Sequence, residues 1–331
     1  MKKIFCLAPA LVLTLSACDR NGVVDALKNT DTEPIEVLFE ISGNGVKSTS
    51  VAEDSTGEAK VSGLQFFVFR DGNLDAYKSV TNTTSTTISC TAGPRTVWAF
   101  ANCPDFSAVT TEAELRAKVS LLASNSTDSF EMSGSKAVEI SAGSSVDVEV
   151  SRVVSRIVLK KVTADFKSAA LSGKTFKINS VYLVNVAAKS DYLLPSDYAP
   201  DAFFNLGSNL SGTEEAKVKG LIYDECNSTV SGGVYDTPHY FYAYPNPGTT
   251  VSTRLVIETE IGDEKNYYPI TLPALSRNNS YEIKELVITR QGSDDPDVPV
   301  SFTDVTFSIT VNPWNVIPVG NVEGSEGVFE I

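Results

Sequence analysis

The chain has 331 residues, 42% of them apolar, and its 41 Asp and Glu against 27 Lys and Arg give a net charge of −14 at pH 7. Such an acidic surface repels a polyphosphate, which excludes nucleic acid as a partner. The length suffices for one large or two ordinary domains with packed cores, and a single histidine leaves little room for metal or triad chemistry.

Lys2 and Lys3 precede an apolar run over residues 4–15, too short for a bilayer-spanning helix of roughly 20 residues and closed by Ser16-Ala17. This is the pattern of an export leader. Cys18 directly after the small pair turns it into a lipobox, so residues 1–17 are expected to leave and Cys18 to become a lipidated N-terminus; an ordinary secretory leader is the alternative. Residues 18–34 are polar, with Gly22 and Pro34, and read as a tether.

Ile35, Val37, Phe39 and Ile41 then alternate with Glu36, Leu38 and Glu40, a short strand with one apolar face. A Gly/Ser/Thr-rich stretch follows over residues 42–57 and reads as an open loop. Next come a strand over 64–70 ending at Asp71-Gly72-Asn73, a hairpin over 86–102 turning at Thr91-Ala92-Gly93-Pro94, and a helix over 111–122 started by Thr111 ahead of Glu112 and Glu114. Further strands are expected around Ala142-Gly143-Ser144, from Val153, and over 174–186, 238–244, 254–261, 267–272, 281–289 and 302–314.

Short strands at even spacing, punctuated by Gly, Pro, Asn and Asp, predict an all-β chain of two tandem β-sandwiches (transthyretin-like) with one short helix in the first. The division expected is 1–17 leader, 18–34 tether, 35–150 first sandwich and 151–331 second sandwich. Cys6 leaves with the leader and Cys18 takes lipid, so Cys90, Cys103 and Cys226 remain. In a hairpin Cys90 and Cys103 would lie several residues out of register, beyond the roughly 7 Å reach of a disulfide, and free thiols are expected.

Several segments in this order resemble one family: the lipobox at Cys18; the early strand and loose loop; Cys90-Thr91-Ala92-Gly93 leading to Val97-Trp98-Ala99-Phe100-Ala101-Asn102; Arg152-Val153-Val154-Ser155-Arg156-Ile157; Tyr267-Tyr268-Pro269-Ile270; Leu275-Ser276-Arg277-Asn278-Asn279-Ser280-Tyr281-Glu282-Ile283; Gly292-Ser293-Asp294-Asp295-Pro296-Asp297; and Val311-Asn312-Pro313-Trp314. The chain is similar to the Bacteroidia-type fimbrillins, or type V pilins. The resemblance implies a lipidated outer-membrane precursor that becomes a structural subunit of an adhesive surface fimbria. It further implies a trypsin-like protease that cuts behind the first strand, and donor-strand exchange, in which a neighbouring subunit's C-terminal strand fills the vacated groove.

On that reading Ile35, Val37, Phe39 and Ile41 form the removable strand. Lys47 is the candidate cut site, with Lys60 and Arg70 as alternatives, although an arginine is the commoner residue there. The donor candidates are Val316, Ile317 and Val319, and beyond Gly320 and Gly324 the terminal Val328, Phe329 and Ile331; folding back on the chain's own sandwich is the alternative for both groups. The implied partners are other fimbrial subunits, the protease, a membrane through the lipid anchor and a host or bacterial surface receptor. The apolar tail favours a shaft over a tip or anchor subunit.

No enzyme activity, cofactor or metal is expected. His239 lies in the aromatic strand Pro238-His239-Tyr240-Phe241-Tyr242-Ala243-Tyr244 and reads as a structural residue with a satisfied hydrogen bond. Asp294, Asp295 and Asp297 are hard ligands for calcium in principle, but Pro296 and the crowded spacing favour an exposed acidic turn. The competing function is a glycan-binding surface lipoprotein of a nutrient-uptake system, for which Trp98 and Trp314 are the available sugar platforms.

Overall fold

Apolar–polar alternation produces strand almost throughout the computed structural model, which describes residues 33–43, 58–195, 197–208, 210, 218, 220–300, 305–314 and 327–329, the last segment by its backbone. The first half carries β1 (Pro34–Ser42), β2 (Gly63–Arg70), β3 (Asn73–Thr81), β4 (Ser85–Thr91), β5 (Gly93–Ala101), helix α1 (Glu112–Arg116), β6 (Val119–Leu121), β7 (Met132–Ile140), β8 (Ser145–Glu149) and β9 (Ser151–Arg152). A three-stranded sheet in the order β4-β1-β8 packs on a five-stranded sheet in the order β3-β2-β5-β7-β9.

In the second half follow β10 (Ser155–Leu159), β11 (Val162–Ala164), β12 (Phe176–Val184), β13 (Val186–Ala187), β14 (Lys189–Asp191), β15 (Phe203–Phe204), β16 (Tyr223–Thr229), β17 (Val234–Tyr235) and β18 (His239–Ala243). The last are β19 (Arg254–Ile261), β20 (Glu264–Thr271), β21 (Asn279–Ile283), β22 (Leu286–Ile288), β23 (Val305–Thr306), β24 (Ile309–Pro313) and β25 (Gly327–Phe329). The sheets β18-β10-β21-β24-β25 and β17-β11-β22-β23 run on from one another and face β16-β12-β19-β20 across a shared core. The all-β expectation and the short helix in the first half are both met.

The wall formed by β2 and β5 is buried on both faces, which is why these strands read as near-continuous apolar runs. Phe66, Val68, Val97 and Ala99 point into a small core shared with β1, while Phe67, Phe69, Trp98 and Phe100 join a large cluster that continues into the second half through Tyr192, Phe241 and Trp314. Asp71 and Gly72, both at positive φ (51° and 78°), make the tight turn between β2 and β3.

Three local expectations need correction. The strands over 86–102 exist but do not form a hairpin: β4 pairs with β1, and β5 pairs with β2 and β7. The cause is Arg95, buried at the corner, where its guanidinium donates to Asp75 Oδ2 (3.2 Å), to the carbonyls of Ala92 (2.5 Å) and Pro94 (2.6 Å) and to Thr91 Oγ1, with Gly93 at φ 107°. The chain therefore crosses from one sheet to the other. Cys90, Cys103 and Cys226 are free, as expected, although no hairpin register separates the first two.

The helix ends at Arg116, well before Leu122, because Val119–Leu121 is taken into a ladder with β14 of the second half. Its start is as read: Thr111 accepts from the Glu114 N–H (3.2 Å) and the Glu114 carboxylate reaches back to the Thr111 N–H (3.2 Å). The long strands expected over 174–186 and 281–289 are each broken in two, the first by Asn185 at φ 55°.

Candidate functional site

The first structural candidate is β1 and its seat. β1 is the middle strand of its sheet, antiparallel to β4 (Val37 opposite Ile88) and parallel to β8 (Phe39 opposite Val146, Ile41 opposite Val148). Val37 and Phe39 are fully buried, Ile41 is 6% exposed and Ile35 half-buried, all packed on Leu64, Phe66, Val97, Met132 and Val148. The Phe39 and Phe66 rings meet at 5.7 Å. The opposite face of the strand points to solvent, with Leu38 42% exposed between Glu36 and Glu40. At the end of the strand Ser42 donates from Oγ to Asp147 Oδ2 at 2.7 Å.

Burying three such apolar side chains stabilises the seated strand by roughly 1.5–3 kcal/mol each, and the two backbone ladders give it direction. If it left, β4 and β8 would stand about two strand spacings apart, roughly 9.5 Å, with unpaired backbone on both edges and an apolar floor. Such a slot selects for extended chain with apolar residues at every second position, whatever their identity.

The chain after the strand is anchored by different means. Glu58, 1% exposed, accepts at Oε2 from Arg156 Nη1 (3.0 Å) and Trp314 Nε1 (3.2 Å) and at Oε1 from the Tyr242 hydroxyl (2.5 Å), while its carbonyl accepts from Arg152 Nε (2.9 Å). The guanidinium of Arg152 lies over the Trp314 ring at 4.2 Å and donates to Asn278 Oδ1 and the Trp314 carbonyl, both at 3.2 Å. Arg277 continues this knot, donating to the carbonyls of Tyr192 (2.6 Å) and Ser151 (2.8 Å) and to Ser133 Oγ (2.9 Å). A second buried network joins the halves through Glu131, which accepts from the hydroxyls of Ser120 and of Tyr192 (2.9 Å), and whose carboxyl is raised above the ordinary range by burial.

Of the residues singled out in the sequence, Ile35, Val37, Phe39 and Ile41 come together in one sheet. Cys18, Lys47, Val316, Ile317, Val319 and Ile331 lie outside the described residues. Val328 and Phe329 fall in β25, whose backbone pairs antiparallel with β24 (Thr310 opposite Val328, Ile309 opposite Phe329), so this part of the tail lies on the chain's own sheet edge. Glu58 was not legible in advance: it interrupts no periodic pattern, and its partners lie 98, 184 and 256 positions away. Arg152, Arg156, Asn278 and Trp314, by contrast, all fall within segments on which the family resemblance rests.

The remaining candidates are accounted for locally. Asp297 pairs with Arg254 (Oδ1 to Nη2, 2.5 Å), and Asp295 Oδ1 accepts from the Asp297 N–H (2.8 Å), closing an exposed acidic turn. Trp98 and Trp314 are 1% and 0% exposed, and Trp98 donates to Glu112 (3.2 Å). His239 is buried and bonded at both ring nitrogens, to Asp224 and Tyr235.

Residues 35–145, from β1 to the first residue of β8, match the family model described as major fimbrial subunit protein (FimA). The fold is that of solved fimbrial and adhesion proteins. A candidate cell adhesion protein from Bacteroides eggerthii DSM 20697 superposes with a TM-score of 0.66 at 21% identity, covering 87% of this chain and 98% of its own. The fimbrilin FimA of Porphyromonas gingivalis W83 gives 0.63 at 18% identity, covering 86% and 99%. The tip fimbrial protein Mfa3 of Porphyromonas gingivalis gives 0.52 at 12%, covering 83% and 99%. No curated protein matches the chain in sequence. The fimbrillin resemblance read from the sequence thus holds in the family match of the first half and in the fold across most of the chain.

Proposed function

From this match and this fold, we propose that the protein is a structural subunit of a cell-surface fimbria, completed by a strand from another subunit after its own first strand is cut away. The observation that carries the reading is the seat of β1: a middle strand with a fully apolar inner face and hydrogen-bonded neighbours on both sides, joined to the rest only through residues 43–57. Those residues contain a single basic side chain, Lys47, so a trypsin-like protease acting there frees β1 and leaves Glu58 in its knot. Cleavage after Lys60 would remove Glu58 from the body of the protein, and cleavage after Arg70 would remove β2 as well, which supports Lys47 over both.

The incoming donor comes from the neighbour's tail, Val316, Ile317 and Val319 or Val328, Phe329 and Ile331, of which the second group must first leave the β24 edge on which β25 lies. Tail into groove is a heterologous contact, which grows head to tail into an open filament wherever the rotation between subunits does not close a ring. Before assembly Cys18 carries the lipid that holds the precursor at the outer membrane; afterwards the subunit is part of the fimbria, and adhesion to a host or bacterial receptor is the filament's work. Because both tryptophans are committed to buried contacts, no observation favours the glycan-binding alternative.

The test is trypsin treatment of the purified precursor. Loss of the residues up to Lys47, followed by a ladder of multimers on a gel run without heating, is expected. A chain lacking residues 320–331 should be cut at the same place and stay monomeric. Cutting at Lys47 with no multimer from the full chain would overturn strand exchange.

A further inference from the structure

One cluster in the second half has no part in strand exchange. Asp224 and Cys226 sit on β16, Tyr235 on β17 and His239 on β18, each the outermost strand of its sheet in the topology. Asp224 Oδ2 is 2.9 Å from His239 Nδ1, the Tyr235 hydroxyl is 3.0 Å from Nε2, and the Cys226 sulfur is 3.8 Å from the same nitrogen. The Tyr235 hydroxyl also counts Cys226 among its hydrogen-bonding neighbours. The imidazole is stacked between Tyr235 (5.6 Å, 13°) and Phe241 (6.3 Å, 10°), which fixes the direction of its Nε2 edge.

A merely structural histidine needs one partner on each nitrogen. Here a carboxylate orients one nitrogen, and the other converges with a hydroxyl on a sulfur that is not fully buried. Cys90 and Cys103 have no histidine beside them, and burial pushes the first thiol up to about 11 and the second well above the ordinary thiol range.

We propose that Cys226 is a reactive thiol, with His239 as its proton acceptor and Asp224 and Tyr235 as positioning residues, and that it forms mixed disulfides with small-molecule disulfides. The thiol proton passes to Nε2 and the thiolate attacks one sulfur of the disulfide. The new S–S bond forms as the old one breaks, and the departing thiolate takes a proton back from the imidazolium. The charge state suits this step. Burial works against a charged ring, but the hydrogen bonds and charges of Asp224 and Cys226 together outweigh it and raise His239 to about 9, so the ring keeps the proton it takes from the sulfur across the neutral range. The other titratable neighbour, Tyr235, is itself pushed up by burial to about 12 and stays a neutral hydroxyl. Exchange adds a group at the edge strand β16 and is independent of whether the chain polymerises.

The probe is 5,5′-dithiobis(2-nitrobenzoate) on the native full chain between pH 6 and 8, with the label mapped by peptide mass spectrometry among Cys90, Cys103 and Cys226. Label is expected on Cys226 alone, at a rate nearly flat with pH. Cys226→Ser should leave these peptides unlabelled until the chain is unfolded. His239→Gln and Asp224→Asn should slow the reaction about tenfold at pH 6 and make the rate climb with pH. Asp224→Asn, at a side chain 38% exposed, covers the case in which the histidine variant does not fold. An unlabelled Cys226, label on Cys90 or Cys103 instead, or an unchanged rate and pH profile in Asp224→Asn would overturn the proposal.

Discussion

The front strand and the Glu58 knot are neighbours in sequence and opposites in how they are held. β1 is fixed by backbone ladders and by shape-tolerant apolar contacts, Val37, Phe39 and Ile41 against Phe66 and Val97, interactions that any extended chain with the right alternation reproduces. Glu58 is fixed by directed bonds to Arg156, Tyr242 and Trp314, which no other side chain at that position supplies. On the reading proposed above, the difference separates an exchangeable element from a permanent one, with the boundary between them within residues 43–57.

The largest expected effect breaks the permanent side. Glu58→Ala leaves Arg156 and the Trp314 N–H buried without their carboxylate, and a loss of about 3–5 kcal/mol in denaturant unfolding is expected. Phe39→Ala removes the ring packed on Phe66 under β1 and should cost about 3 kcal/mol in the uncut chain. After removal of β1 in both proteins that difference should vanish, because the altered residue has left with the strand; Glu58→Ala should remain destabilised. That pair of results sharpens the contrast more than either alone.

A smaller effect comes from pH. His239 has a folded pKa raised to about 9 above an ordinary value of 6.5, so its contribution is fully present below pH 6.5 and is lost as pH rises through about 9. Allowing for solvent at Asp224, a fall of about 2 kcal/mol over that window is expected in unfolding experiments, and it should be absent from His239→Gln. The smallest effect is on the outer face of β1, where Leu38→Thr should change stability by less than about 0.5 kcal/mol.

How far the sequence revealed all this depended on whether the governing contacts were local. The alternation of Ile35, Val37, Phe39 and Ile41, the Asp71-Gly72 turn and the Thr111–Glu114 capping box are short-range patterns, and each was readable. The corner at Arg95 was not, because two alternating strands joined by Thr91-Ala92-Gly93-Pro94 look the same whether the chain turns within a sheet or crosses between sheets; the buried guanidinium that decides it finds Asp75 twenty residues earlier. The helix was read too long for a similar reason, since Val119–Leu121 has its ladder partner at Lys189–Asp191. Glu58 and the Asp224–His239–Cys226 cluster depend on contacts between strands whose adjacency no local pattern announces.

The central claim is that the strand seated at β1 in the precursor is replaced in the filament. Mass spectrometry of subunits from native surface filaments tests it most directly. The account predicts chains that begin at Ser48 and lack Ile35, Val37, Phe39 and Ile41. Filament subunits that still carry residues 35–41 would contradict it.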